Sequence, residues 1–251
     1  MKTLPFYLFA LCCSLVCTLP VAVAATHSTA HFDLHYPDAL SASAVDAFAT
    51  DIEQARQRVT AYLANVPGYT GTPIKGKLQV HVSSKHRTPY QDKEHIYVPE
   101  KRVLKSYESE GEHAGLALVH ELTHVYAVSG FRYQRDRFYD DGLAVFLQHR
   151  LGTGPEYPDF GEDLIVAAAK LSEKHGELIP LKQAENVRGA AKSGVARRLA
   201  YLQEGAFSQF LIERLGLEAY WQIYTGTPFE TVAGRSFESF ETEWAELVNA
   251  M

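Results

Sequence analysis

The chain has 251 residues, of which 46% are hydrophobic and 22% are charged, and its formal net charge is −6. This length suits one domain with a substantial core, and the composition is that of a globular protein. The negative charge excludes the basic surface on which nucleic-acid binding depends, so no nucleic-acid partner is predicted.

Residues 1–24 have the pattern of a secretory signal peptide. Lys2 gives a positive start, residues 8–16 are apolar, and Ala22 and Ala24 have the A-x-A spacing of a cleavage site. The apolar run is short for a transmembrane helix, and a retained anchor is the alternative. We predict an exported protein, periplasmic or secreted, that leaves the membrane after cleavage. All three cysteines lie in this leader, so the mature chain would contain no disulfide.

Strands and one helix are predicted in the next part of the chain. Residues 31–36 alternate between apolar and polar, which indicates a strand. Residues 43–64 have apolar side chains at helical spacing after a serine cap, which predicts an amphipathic helix. Further strands are predicted at 77–82 and 95–98. The second of them is a candidate for a sheet edge along which an extended substrate pairs.

Three histidines near the start of the mature chain recur every four residues. His31 and His35 would share one face of a strand but lie too far apart to bind one metal ion. We therefore interpret His27, His31 and His35 as ordinary half-exposed histidines.

Residues 111–130 contain the most informative motif of the chain. His120, Glu121 and His124 form an H-E-x-x-H pattern within a segment that is apolar on nearly all sides, which predicts a buried helix. Positions i and i+4 share a helix face, so His120 and His124 can offer two imidazole nitrogens to one metal ion. A chance match is the alternative. A buried, unpaired His or Glu is costly, however, and this favours a metal site, with zinc as the expected ion.

Two neighbouring acids, Asp140 and Asp141, open another predicted helix. Either acid can cap the helix and complement its dipole. One of them can instead complete a catalytic zinc site, which needs three protein ligands. The two positions differ by about 100° of helical rotation, so only one of the acids is expected to bind the ion.

The rest of the chain is predicted to be nearly all helical. Apolar residues recur at helical spacing in four segments, which are 162–175, 199–215, 219–223 and 237–247. We therefore predict an α+β fold. Residues 25–251 would form a single domain, with a small mixed sheet and helices up to about residue 130 and a helical lobe after it.

The two motifs together resemble those of the gluzincin metallopeptidases, and more narrowly the small exported peptidase-MA-like proteins. These proteins carry H-E-x-x-H on one helix and E-G-x-A on the next, and here the second motif is D-G-x-A from Asp141. The resemblance covers most of the mature chain. It implies a zincin-like fold with the metal in a cleft between the lobes. It also implies zinc bound by His120, His124 and Asp141, with Glu121 as general base.

The chain departs from the family because Asp141 stands where the family has Glu. Asp is a competent ligand but is one methylene shorter, so the second helix must come closer to the metal or Asp141 must bind through water. We prefer Asp141 to Asp140. By resemblance Tyr201 is a candidate for polarising the substrate carbonyl, and a structural tyrosine is the alternative. Arg197 and Arg198 could bind a substrate carboxylate, but a solvated basic turn is favoured.

The function predicted from these motifs is that of a zinc-dependent peptidase acting on peptides or proteins outside the cytoplasm. Two alternatives stay open. One is a zinc-containing protein that binds peptides without catalysis. The other is a metal-dependent hydrolase of a non-peptide bond, because water activation is chemistry that both reactions share.

Overall fold

The computed structural model describes residues 25–69, 71, 74–109, 114–128, 136–191 and 193–251. The predicted signal peptide lies outside these residues. The described part of the chain has an α+β fold, as predicted, with a five-stranded mixed sheet and ten helices.

The sheet has the strand order β1-β2-β3-β5-β4. Its strands are β1 (Ala25–Ser28), β2 (Phe32–Tyr36), β3 (Leu78–Ser83), β4 (Tyr90–Asp92) and β5 (His95–Pro99). The three central strands are parallel to one another, and the two outer strands are antiparallel to their neighbours. Apolar residues alternate with polar ones along β2 and β3, so one face of the sheet is buried in the core and the other carries polar side chains.

The edge beside the H-E-x-x-H helix is formed by β4, so the prediction that residues 95–98 form an edge is wrong. These residues belong to β5, which lies between β3 and β4. The sequence concealed β4 because the strand has only three residues and is joined to β5 by a tight turn at Lys93, which has φ 54°.

The described residues form ten helices in addition to the sheet. They are α1 (Ala42–Leu63), α2 (Glu100–Tyr107), α3 (Leu118–Val128), α4 (Arg137–Leu151), α5 (Leu164–His175), α6 (Leu181–Ala190), α7 (Val195–Leu215), α8 (Leu217–Tyr224), α9 (Phe229–Ala233) and α10 (Phe237–Asn249). The cap of α1 is Ser41, whose hydroxyl accepts from the amide of Ala44 at 3.2 Å. None of the described helices is long and apolar enough to cross a bilayer.

The helical lobe contains two helices that were not predicted from the sequence, α6 and the five-residue α9. In α6, the side chains of Leu181, Ala184 and Arg188 are buried, and this apolar pattern is too sparse to stand out. The prediction of a solvated basic turn at Arg197 and Arg198 is wrong. Both lie in the first turn of α7, and Arg198 donates to the carbonyl of Pro158 at 2.6 Å.

Helix α4 packs against α3 on one side and α7 on the other. The contact with α7 is close because glycines lie in it. A Cβ atom at Gly142 would lie 2.6 Å from the carbonyl oxygen of Glu204 and would overlap Ser208, and a Cβ atom at Gly205 would overlap Val145. The Gly of the D-G-x-A motif therefore allows the approach of two helix backbones.

Replacing Gly142 with Ala should destabilise the fold by about 1–3 kcal/mol, because the backbone of α7 must move to make room. Urea unfolding in the presence of EDTA measures this without any contribution from a bound metal. The matched control is Gly189→Ala on α6, where an added Cβ meets no atom within 4 Å. That variant should be neutral or more stable by up to about 1 kcal/mol. Equal losses in both variants would contradict the packing argument.

Candidate metal centre

The start of α3 is held by side chains from the far end of α4 and the loop after it. The carboxylate of Glu156 accepts from the amides of Leu116 and Ala117 at 3.2 and 2.6 Å, and the side-chain oxygen of Gln148 accepts from the amide of His120 at 3.0 Å. These bonds satisfy amides that have no partner within the helix. They also fix α3 relative to α4, the helix that carries the acids.

Three of the predicted site residues converge across the contact between α3 and α4. The Nε2 atoms of His120 and His124 are 3.1 Å apart, and Oδ1 of Asp141 is 3.8 Å from each of them. Atoms at these separations all lie about 2.1 Å from one central point, and zinc–ligand bonds to histidine and carboxylate have about this length. The His120, His124 and Asp141 group could therefore hold a metal ion.

The orientation of the two rings separates this cluster from an ordinary histidine pair. The rings of His120 and His124 are nearly perpendicular, with centroids 4.7 Å apart, so both nitrogens can face a common point. His81 and His95 on the sheet also bring two nitrogens within 3.0 Å, but those rings are nearly parallel and their centroids are 5.3 Å apart. Their nitrogens point at each other, which is the geometry of an N–H···N hydrogen bond.

The early histidines do not form a cluster of this kind. His31 contacts the Glu53 carboxylate at 2.8 Å, and His35 contacts the Gln79 side chain at 2.7 Å. Among the described residues, three converging ligand atoms occur at His120, His124 and Asp141 alone.

Asp140 lies behind the cluster rather than in it. Its Oδ2 is 3.1 Å from Nδ1 of His124, and its Oδ1 accepts from the hydroxyl of Tyr224 at 3.0 Å. A carboxylate on the far nitrogen orients a metal-binding imidazole and makes it a better ligand. Neither acid caps α4, because its cap is Asp136, which accepts from the amide of Phe138 at 3.0 Å.

Burial and charge shift the pKa values of the clustered groups in different directions. Burial lowers the pKa of His120 well below its usual value. Burial also works against the charge of His124, but the bond to Asp140 and the Asp141 and Glu121 carboxylates raise its pKa to about 9. Burial raises the pKa of Glu121 to about 7, and nearby carboxylates add to the shift against the opposing effect of His124. Such shifts are typical of functional sites.

The cluster opens onto a pocket of about 360 Å³. Its walls come from β4 and the residues before it, from α3 and α4, and from the helical lobe; they include Pro89, Tyr90, Gln91, His120, Glu121, His124, Arg137, Asp140, Asp141, Arg188 and Tyr201. Glu121 faces this pocket although it is only 5% exposed. The predicted metal ligands, general base and tyrosine therefore share one cavity.

Tyr201, a residue of the pocket wall, contacts two arginines. The guanidinium groups of Arg188 and Arg197 lie 4.9 and 5.1 Å from the centre of its ring, and Arg197 donates to its hydroxyl at 3.3 Å. The ring of Tyr201 is 6.4 Å from that of His120. Burial raises the pKa of Tyr201, so its hydroxyl keeps its proton at neutral pH.

The sequence analysis assigned no role to Arg188 and Glu204, nor to the pocket residues Pro89, Tyr90, Gln91 and Arg137. Arg188 lies 2.7 Å from Oδ2 of Asp141 and 2.9 Å from a carboxylate oxygen of Glu204, which is completely buried. A single arginine on a polar helix does not stand out in the sequence as a site residue. An acid among the apolar residues of α7 is a weak indication of one, because acids are rarely buried without a partner.

A scan against protein-family models gives no match for this chain, and a search of curated proteins gives no significant match. The gluzincin resemblance therefore stays a prediction that depends on the motifs and on the geometry of the cluster.

The cluster predicts an ordering of metal affinities that a chelator-competition titration with Zn²⁺ or Co²⁺ can measure. Asp141→Ala should remove stoichiometric binding because it deletes a ligand atom. Asp140→Ala should weaken binding by about 10–100-fold because it removes only the support of His124. His149→Ala is the control, since this histidine of α4 pairs with Asp159 and is no part of the pocket. A larger loss in Asp140→Ala than in Asp141→Ala would contradict the assignment.

Proposed function

We propose that this protein is a zinc-dependent peptidase of the zincin-like type, exported as its leader pattern predicts. The observation that carries the proposal is the convergence of His120, His124 and Asp141 in a pocket that Glu121 also lines. Two imidazole nitrogens and one carboxylate oxygen suit zinc, and three protein ligands leave a position open for water. Structural zinc sites have four protein ligands, so this set favours catalysis.

Zinc in this position would lower the pKa of a water molecule and polarise the carbonyl of the scissile bond. Glu121 has the position of a general base because its carboxylate lines the same pocket and lies next in sequence to His120. This carboxyl group could take a proton from the attacking water and give it to the leaving amine.

Tyr201 is the candidate donor to the carbonyl oxygen of the substrate. Because Arg197 donates to the Tyr201 hydroxyl, that hydroxyl acts as an acceptor there and keeps its own hydrogen for another partner. A hydrogen-bond donor near a metal pocket stabilises the negative charge that develops on the carbonyl oxygen in the transition state.

The sheet edge supports a peptide as the substrate. β4 is the last strand of the described sheet, and Tyr90 and Gln91 of this strand line the pocket. An extended peptide can add to such an edge through main-chain hydrogen bonds, which would lay its backbone across the cluster.

The test is a peptide-library cleavage assay with the zinc-loaded protein and its Glu121→Gln variant. The variant should keep its zinc, because the substitution removes no ligand, and should lose at least about 100-fold in kcat, the contribution typical of a general base. Glu177→Gln, on an exposed glutamate outside the pocket, is the matched control and should cleave normally.

Each contrary result has its own meaning. Full activity in Glu121→Gln would remove the proposed mechanism. Stoichiometric zinc without cleavage by the wild-type protein would favour a protein that binds peptides without catalysis. Hydrolysis of esters or other non-peptide bonds alone would favour a different metal-dependent hydrolase.

A further inference from the structure

We propose that Arg188 is a positioning residue that makes Asp141 a ligand through one oxygen only. The inference rests on the proposed metal site. It assigns a role to a residue of α6 that neither sequence motif includes.

The two carboxylate oxygens of Asp141 have different partners. Oδ2 lies 2.7 Å from Nη2 of Arg188, whereas Oδ1 is the oxygen that lies 3.8 Å from each histidine nitrogen. An ion pair with a guanidinium on one side favours one orientation of the carboxylate about its terminal torsion. The contact with Arg188 therefore presents Oδ1 to the cluster and keeps Oδ2 away from it.

Arg188 is itself held in place on two further sides. Its Nε lies 2.9 and 3.1 Å from the two carboxylate oxygens of Glu204, and its guanidinium lies over the ring of Tyr201. The Arg188 side chain is 10% exposed and that of Glu204 is completely buried. The arginine, whose guanidinium is always charged in proteins, therefore bridges two acids.

Orientation by Arg188 matters at position 141 because Asp is one methylene shorter than the Glu of the family motif. The backbone of α4 packs closely on α7 at Gly142, so a shift of α4 toward the histidines to extend the reach of Asp141 would open this contact. A short ligand tolerates little error in the direction of its oxygen, because a catalytic site needs its groups within about 0.5 Å of the productive geometry. Contacts beyond the ligands typically change metal affinity by about 10–100-fold.

The experiment compares zinc dissociation constants, by chelator competition, in variants that remove the bridge without leaving Glu204 as a buried, unpaired charge. Arg188→Met alone leaves Glu204 buried and unpaired, so the main variant is Arg188→Met with Glu204→Met, since apolar replacement of a buried ion pair is often tolerated. We expect this double variant to fold, to bind zinc about 10–100-fold more weakly, and to show an altered visible absorption spectrum with Co²⁺. Arg198→Met on α7, which contacts Phe160 and Pro158 outside the pocket, should leave affinity and spectrum unchanged.

Unfolding of each metal-free variant in EDTA separates positioning from simple stability. A purely structural role for Arg188 would lower the free energy of unfolding but leave the zinc affinity and the Co²⁺ spectrum of the folded protein unchanged, and this result would overturn the inference. If the double variant does not fold, Arg188→Gln with Glu204→Gln provides the same comparison, because it removes both charges of the pair but keeps polar side chains of similar length. Unchanged zinc affinity in that variant would likewise overturn the inference. Failure of the wild-type protein to bind zinc would instead overturn the proposed function, so the two failures are distinguishable.

Discussion

The close packing of α4 between α3 and α7 is the constraint on which the candidate site depends. Contact with α3 brings Asp141 to the two histidines, and contact with α7 brings Glu204 and hence Arg188 to Asp141. Gly142 sits between these contacts, next to the acid, where any larger residue would separate α4 from α7. The glycine of the D-G-x-A motif is therefore a packing requirement, and the metal geometry follows from it.

The parts of the fold that could be predicted from the sequence are those with a strong local pattern. The long helices α1 and α7 and the central strands have regular apolar spacing, and their predicted limits agree with the structure within a few residues. The missed elements are short or polar. β4 has three residues, and α6 buries few side chains, so tertiary contacts rather than local sequence determine them. The wrong assignment of the sheet edge follows directly from the missing strand.

In the candidate site, too, residues linked by local spacing could be predicted, whereas residues placed by tertiary contacts could not. His120, Glu121 and His124 are linked by helical periodicity, which a sequence displays directly. The roles of Asp140 and Asp141 could not be separated in that way, because they depend on which face of α4 meets α3. In the structure Asp141 faces the histidine nitrogens and Asp140 supports His124 from behind. The role of Arg188 could not be predicted, because this residue lies on α6, a helix that carries no recognisable motif.

The most direct test of this account is the position of zinc in crystals of the zinc-loaded protein, located by anomalous scattering at the zinc absorption edge. We expect one peak about 2.1 Å from Nε2 of His120, Nε2 of His124 and Oδ1 of Asp141, with Oδ2 still in contact with Arg188. Absence of a peak between these three atoms, or a zinc ion bound by Asp140 with Asp141 turned away, would contradict it.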